Sequence, residues 1–395
     1  MSTKKWKLSD KWLKAAVIGG LWASIEIVIG SFLHNLRIPF AGTILAAQGI
    51  IILLAFMRLW PERGIIIRAG IITALMKSIS PSAIILGPMI GILTEAILLE
   101  LFLILFGRNI FGFIIAASIA LASALFHKII SFIILYGFDI VGIYENIFHW
   151  FQKKIDISSL NPTEFILVLL GIYLLWGLLS GITGYYIGEK SKQLGDLPRL
   201  EIEAQESEEF FPLNANQNFN LPLLILNLLS IPVGLLLLNL VNTYIGFAYI
   251  ISFVIFALFK YRKSMRRLRK PIFWIQLIII MMLAAIFGNN QESTGNTYNF
   301  NGILYGIEMC VRAIFIVISF TAISVELRNP VIKQKLNSSF AQHLYAALGI
   351  AFGVLPRVVK ALPKSSEFFT HPIRTFSILI ARTKNDYDCG VYKNK

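Results

Sequence analysis

At 395 residues, with 56% hydrophobic and 15% charged residues and a mean hydropathy of +0.71, the chain is too apolar to fold as a soluble core under a polar skin. The formal net charge of +14 does not point to nucleic acid, because the basic residues sit in short loops between apolar runs, the pattern of cytoplasmic loops in a helical membrane protein. Those runs are far longer than barrel strands and do not alternate, so the expected class is all-α and polytopic.

The first apolar run, Leu13 to Leu33, is long enough to cross a bilayer. The lysines before it resemble the start of a secretory signal, but no small-residue cleavage site precedes a soluble domain, so an uncleaved first helix is expected. Ala15, Gly19 and Ala23 recur every four positions, and Ala16, Gly20 and Ser24 run one step behind. Such smooth strips let membrane helices approach closely where lipid gives no hydrophobic reward for pairing. The strip either docks on a helix from the second half of the chain or packs within its own bundle.

Five further spans are expected in the first half, near 41–57, 64–79, 82–106, 109–136 and 163–187. With the N-terminus in the cytoplasm, the inner loops are short and basic, as the positive-inside rule requires; Lys153 and Lys154 in the third outer loop run against it. That loop, between Gly137 and Pro162, carries Tyr144, Phe148, Trp150 and Phe151, and is expected to lie at the membrane interface as an amphipathic turn of helix or to cover a substrate as a lid.

Hydropathy collapses after Glu189 into an acidic, turn-prone stretch containing Glu201, Glu203, Glu206, Glu208 and Glu209, which marks a domain boundary. The expected units are a membrane domain at 1–190, to which the family resemblance given below assigns substrate binding, an acidic cytoplasmic linker at 191–219, a second membrane domain at 220–329 and a cytoplasmic or interfacial segment at 330–395. In the second half, spans are expected near 221–240, 244–259, 272–287 and 302–325, ten in all. Seven of the eleven residues from Lys260 to Lys270 are basic, which places that loop in the cytoplasm. After Asn329 the apolar stretch Leu344 to Leu355 is short and followed by cations, so two amphipathic helices on the cytoplasmic face are expected, with a re-entrant or tilted span from near Phe340 as the other possibility.

The chain carries no phosphate loop, no paired-aspartate cluster and no HExxH, and its five histidines are scattered. Cys310 and Cys389 are too far apart in sequence to suggest a disulfide framework or a metal site. These absences argue against an enzyme. The ionisable residues within the spans, Glu26, Glu95, Glu100, His127, Lys128, Glu308 and Arg312, are costly in lipid and are expected to face protein or a polar cavity. Glu308 and Arg312 stand four apart and are expected to neutralise each other. Glu95, His127 and Lys128, with Tyr136, Asp139, His34, Asn35 and Arg37, could line a pocket open to the outside; interhelical hydrogen bonds and interfacial anchors are the plainer reading.

Six spans with a small-residue strip on the first helix, followed by the loop LHNLRIPF, resemble an S component of an energy-coupling factor (ECF) transporter, the small vitamin-capturing subunit. In that family an alanine-spaced first helix contacts the T component, and Ala15, Gly19 and Ala23 occupy the matching place with one glycine substituted. The stretches MRRLRKPIFWIQLIIIMMLAAIF, GILYGIEMCVRAIFIVISFTAISVELRNPVI and LGIAFGVLPRVVKAL resemble the last membrane helices and first coupling helix of the T component, with Arg312, Pro330, Pro356 and Arg357 at similar positions. The resemblance implies a fusion of the two components in the cytoplasmic (inner) membrane of the cell, with both termini cytoplasmic. It further implies a vitamin or similar small organic micronutrient as cargo, two separate cytoplasmic ABC-type ATPase subunits carrying ATP and magnesium, and no covalent cofactor of its own. Coupling would fall to Arg357 and Arg382, although Ala381, Arg382 and Thr383 only approximate the family's Ala-Arg-Gly motif. Ser2 stands where nickel and cobalt versions carry a histidine, which disfavours a metal cargo. Two other classes remain, a secondary carrier driven by an ion gradient and an intramembrane lipid-modifying enzyme. The halves show neither the repeat of the first nor the cytoplasmic carboxylate or histidine cluster of the second.

Overall fold

The computed structural model describes residues 8–35, 40–77, 86–155, 161–194, 221–238, 243–261, 268, 271–288, 300–327, 340–361 and 371–391. Regular structure among them is helical: α1 (Asp10–Asn35), α2 (Ala41–Leu59), α3 (Ile65–Lys77), α4 (Leu86–Phe106), α5 (Ile110–Tyr136), α6 (Asp139–Ile155), α7 (Pro162–Gln193), α8 (Leu221–Leu236), α9 (Thr243–Tyr261), α10 (Pro271–Phe287), α11 (Phe300–Leu327), α12 (Phe340–Ala361) and α13 (Pro372–Asp388). Seven of these, α1, α2, α4, α5, α7, α9 and α11, are long and apolar enough to cross a membrane, which makes the chain a multi-pass membrane protein. The expected acidic linker beyond Leu194, Arg37, most of the basic loop after Tyr261 and Pro330 lie outside the described residues.

Ten spans were expected, and the difference falls on α3, α8 and α10, which have 13, 16 and 17 residues. The start of α3 is fixed from a distance. Gly64 takes a positive φ of 84°, and the buried Glu100 on α4 accepts hydrogen bonds from the amides of Gly64 and Ile67, the latter at 2.9 Å. A carboxylate facing the positive end of a helix satisfies orphan N–H groups and explains why an acidic residue is tolerated inside α4. Conversely, α7 outruns its expected span at the C-terminal end. Its first turn is set by Asn161, Pro162 and Glu164 in a capping box. Its polar last turns continue to Gln193, where Glu189 receives Arg58 Nε at 2.8 Å.

The first bundle closes as a ring in the order α1, α3, α4, α5, α7, α2, and α1 is the most enclosed of the seven long helices. Trp22, Phe56 and Phe113 are the largest fully buried side chains of its core. The end of the ring carrying Asp10, Glu62 and Glu189 is called the near end, and the end carrying Phe40, Tyr136 and Pro162 the far end. In the second half α11 is central, packed by α8, α9 and α10 and touching α5. The expected interfacial turn is a 17-residue helix, α6. It exposes Trp150 and Phe151 and attaches to α10 through Asn146 Nδ2, which donates to Phe287 O at 2.6 Å.

The two helices after residue 339 divide between the two expectations stated for them. Ala347, Ala351, Val354, Leu379, Ile380 and Tyr387 belong to the same core as α1 to α5. Helix α12, 22 residues long and starting at Phe340, packs extensively on α1 and also on α3. Its Ala351 meets Gly20, roughly 15 Å along α1 from Asp10 at 1.5 Å per residue, so α12 enters the depth of the bundle instead of lying on an end face. Only α13 sits across the near end, against α7, α2 and α1.

Candidate functional site

The far end of the first bundle holds one cation without a counter-ion among the described residues. Lys128 on α5 donates from Nζ to Thr43 Oγ1 on α2 at 2.9 Å and to Tyr173 Oη on α7 at 2.8 Å. The two hydroxyls are themselves 3.0 Å apart. The rings of Phe40 and Tyr173 lie 5.6 and 5.4 Å from the ammonium, within reach of a cation–π attraction. Phe40 is held at φ 60°, a left-handed conformation that is rare for a bulky side chain, and its ring is exposed.

Deeper in the ring lies a second polar group. Glu95 on α4 is buried, and among the described residues its Oε1 has no hydrogen-bond partner; nor has Trp22 Nε1 on α1. Both face Gly49 of α2, where a Cβ would meet Trp22 Nε1 at 2.5 Å and Glu95 Oε1 at 3.0 Å. Only a glycine leaves room there. Glu26 is within electrostatic reach of Glu95 but is already engaged, since Lys77 Nζ lies 3.1 Å from its Oε2 and 3.2 Å from its carbonyl oxygen. One turn before Glu95, Gly91 opens space for His127, whose Cδ2 would stand 3.9 Å from a Cβ placed there. His127 therefore lies against α4 one helical turn from Glu95.

Of the residues expected to line a pocket, the structure places His127 against α4 one turn from Glu95, and it surrounds Lys128 with residues that the sequence did not single out. Thr43, Tyr173, Phe40, Trp22 and Lys77 complete the two polar clusters. Tyr136 and Asp139 go elsewhere. Tyr136 packs with Ile143, Phe273, Leu277 and Met309 on the side of the second half, and Asp139 is exposed at the start of α6. The helical repeat explains the separation, since Tyr136 is eight residues beyond Lys128 and thus about 80° round the helix. His34 and Asn35 end α1 with side chains outside the described residues, as is all of Arg37.

The two strips of α1 have different partners. Ala15 and Ala23 are fully buried. Between them Gly19 faces α3, where a Cβ would lie 2.9 Å from Ala69 O, and its carbonyl accepts from Thr73 Oγ1 at 3.1 Å. At Gly19, then, the strip singled out as an interface between halves packs inside its own bundle. The neighbouring strip meets the second half, with Gly20 against Ala351 and Val354 of α12. A rotation of 100° per residue is what distinguishes them.

At the near end, α13 is tied to both the start and the finish of the first bundle. Ser191 Oγ on α7 donates to Ser377 O at 3.1 Å, the ring of Tyr387 lies 4.8 Å from Trp60, and Tyr387 Oη donates to Asp10. Lys14 lies between Asp10 and Glu62 at 2.7 and 2.5 Å. Burial, then the hydrogen bond to Asp10 and the charges of Asp10, Asp388 and Glu62, push the Tyr387 phenol well above its ordinary range. Of the residues proposed for ATPase coupling, Arg382 lies on α13 with its Nε buried and without an acceptor among the described residues, and the side chain of Arg357 on α12 is not among those described.

Chemically, the far end offers hydrogen-bond donors and a positive charge, and the deeper level offers one carboxyl and one indole N–H. Among the described residues no group of three or more His, Cys, Asp or Glu side chains could hold a metal ion. No protein-family model matches the chain, and comparison with curated proteins and with solved structures finds no similar protein.

Proposed function

We propose that the chain is the membrane subunit of an ATP-driven importer of the energy-coupling factor type, in which a capture bundle (α1–α5 and α7) is fused to a scaffold that transmits work from separate ATPases. The observation that carries the reading is the close contact of Gly20 with Ala351 and Val354. A small-residue strip on the most enclosed helix of the first bundle receives a helix from the far end of the sequence. Such a contact has the smooth, closely packed character of a membrane interface at which two bodies can slide or separate. The polar groups at Lys128 and Glu95 lie within the ring and supply what a buried ligand site needs, a few placed polar groups among apolar walls.

In this reading the ligand is a small organic micronutrient that enters from the far end, outside the cell, and the near end faces the cytoplasm. Two cytoplasmic ATPase subunits bind α12, α13 and the adjoining segments, with ATP and magnesium on those partners. Their closure shifts α12 and α13 and thereby reorients the capture bundle. Ligand drives any such cycle only through a difference in affinity between the two orientations.

The test is uptake in proteoliposomes of the full chain, with and without co-purified ATPase subunits. ATP-dependent accumulation that requires the ATPases is expected. Strong uptake without them, driven by an ion gradient, would establish a secondary carrier instead.

A further inference from the structure

We infer that Lys128, Thr43 and Tyr173 form the anchoring subsite for an acidic group, a carboxylate or a phosphate, on the captured molecule; the inference rests on the capture reading given above. It follows from counting donors. An ammonium has three N–H donors and no acceptor, and each hydroxyl has one donor. Lys128 gives one N–H to Thr43 Oγ1 and one to Tyr173 Oη, and the contact between the two hydroxyls uses one of their two O–H groups. One ammonium N–H and one hydroxyl O–H are left, side by side, with no acceptor among the described residues.

Charge leads to the same conclusion. Lys14, Arg58, Lys77 and Arg312 each pair with a carboxylate, namely Asp10 and Glu62, Glu189, Glu26 and Glu308. Among the described residues, the partners of Lys128 are hydroxyls and aromatic rings. A half-buried cation surrounded by neutral groups lacks the opposite charge that usually accompanies burial. An anion with two oxygens takes both remaining donors and neutralises the charge, whereas a neutral amide oxygen can accept the same donors but leaves the charge as it was. Phe40, exposed and held in a strained backbone conformation beside the ammonium, is placed to cover the bound group.

The probes are benzoate, phenyl phosphate and neutral benzamide, titrated against the purified full chain while its melting temperature is followed. Benzoate or phenyl phosphate is expected to stabilise the wild type and Lys128→Arg at concentrations where benzamide has no effect. Lys128→Met is expected to need about ten- to a hundredfold more of the anion. The stronger of the two anions identifies carboxylate or phosphate as the group recognised. Should Lys128→Met fail to fold, the pair Thr43→Val and Tyr173→Phe, which keeps the charge, is expected to weaken the same response. Equal stabilisation by benzamide, an unchanged response in Lys128→Met, or no response to either anion overturns the inference. Mass spectrometry of compounds extracted from the wild-type protein separates the two levels. A bound acid supports both, a bound neutral molecule overturns this inference and leaves capture standing, and an empty protein that ignores all three probes counts against both.

Discussion

Gly20 and Ala351 touch backbone to backbone: a Cβ at position 20 would lie 2.7 Å from the Ala351 carbonyl oxygen and 2.9 Å from its Cα. Gly20→Val is therefore expected to push α12 off α1 at a cost of roughly 1–3 kcal/mol, the usual range for overpacking a tight contact. Gly19→Val meets α3 instead, at Ala69 and Ile72. Hydrogen exchange distinguishes the two: exchange rises over 340–361 in the first variant and over 65–77 in the second. A rise over 65–77 in both would mean that the two strips do not act separately.

That contrast shows where sequence reading stops. A four-residue period marks a smooth helix, but strips one position apart differ only by rotation, and rotation is set by neighbours. The cost of burying charge pointed to Glu95, Glu100, His127 and Lys128, yet the cost is the same whether a side chain caps a helix, as Glu100 does for α3, or faces a possible ligand. Thr43 and Tyr173 carry no such signal. They are separated by 130 positions and acquire meaning only where α2, α5 and α7 converge. Helix α12 stayed between two readings for a different reason, because its apolar core is short and its depth in the bundle comes from fitting alanines against α1.

The buried pair of Glu26 and Lys77 crosses from α1 to α3 at 3.1 Å with both side chains about nine-tenths buried. Lys77→Met leaves a carboxylate alone in the core, and a loss of about 3–5 kcal/mol is expected. The double variant Glu26→Gln with Lys77→Met removes both charges and is expected to recover most of that loss, because the desolvation cost goes with them. Melting temperatures of the two single variants and the double variant check this. A double variant no more stable than Lys77→Met would show that the pair's value lies in its hydrogen bond to the Glu26 carbonyl.

Tyr387 makes the docking of α13 sensitive to alkali. Burial and the neighbouring Asp10 raise its phenol above the unfolded value of about 10, so its contribution is complete below that pH and is lost as pH rises through the higher folded value. Proteolysis within 372–388, compared between pH 8 and 11, is expected to accelerate above about pH 10 in the wild type. Tyr387→Phe keeps the ring against Trp60 and removes the ionisation, so its cleavage rate is expected to lose this alkaline rise. An unchanged rise in that variant would assign the effect to another group.

Gly137 and Arg312 join the far end of the first bundle to α11. Gly137 closes α5 at φ 85°, and a Cβ there would run into the guanidinium of Arg312, which is itself paired with Glu308 at 3.1 Å. Gly137→Ala thus combines two penalties, a backbone conformation that residues with a Cβ rarely adopt and a steric conflict, and is expected to destabilise by about 1–3 kcal/mol. The steric part disappears when Arg312 is shortened, while the backbone part stays. In a cycle with Arg312→Met the two changes should therefore cost less together than the sum of their separate effects, by about 0.5 kcal/mol or more. Strict additivity would show that the guanidinium can move aside freely, and that the corner between α5 and α6 is held to α11 by apolar packing around Tyr136 and Met309 instead.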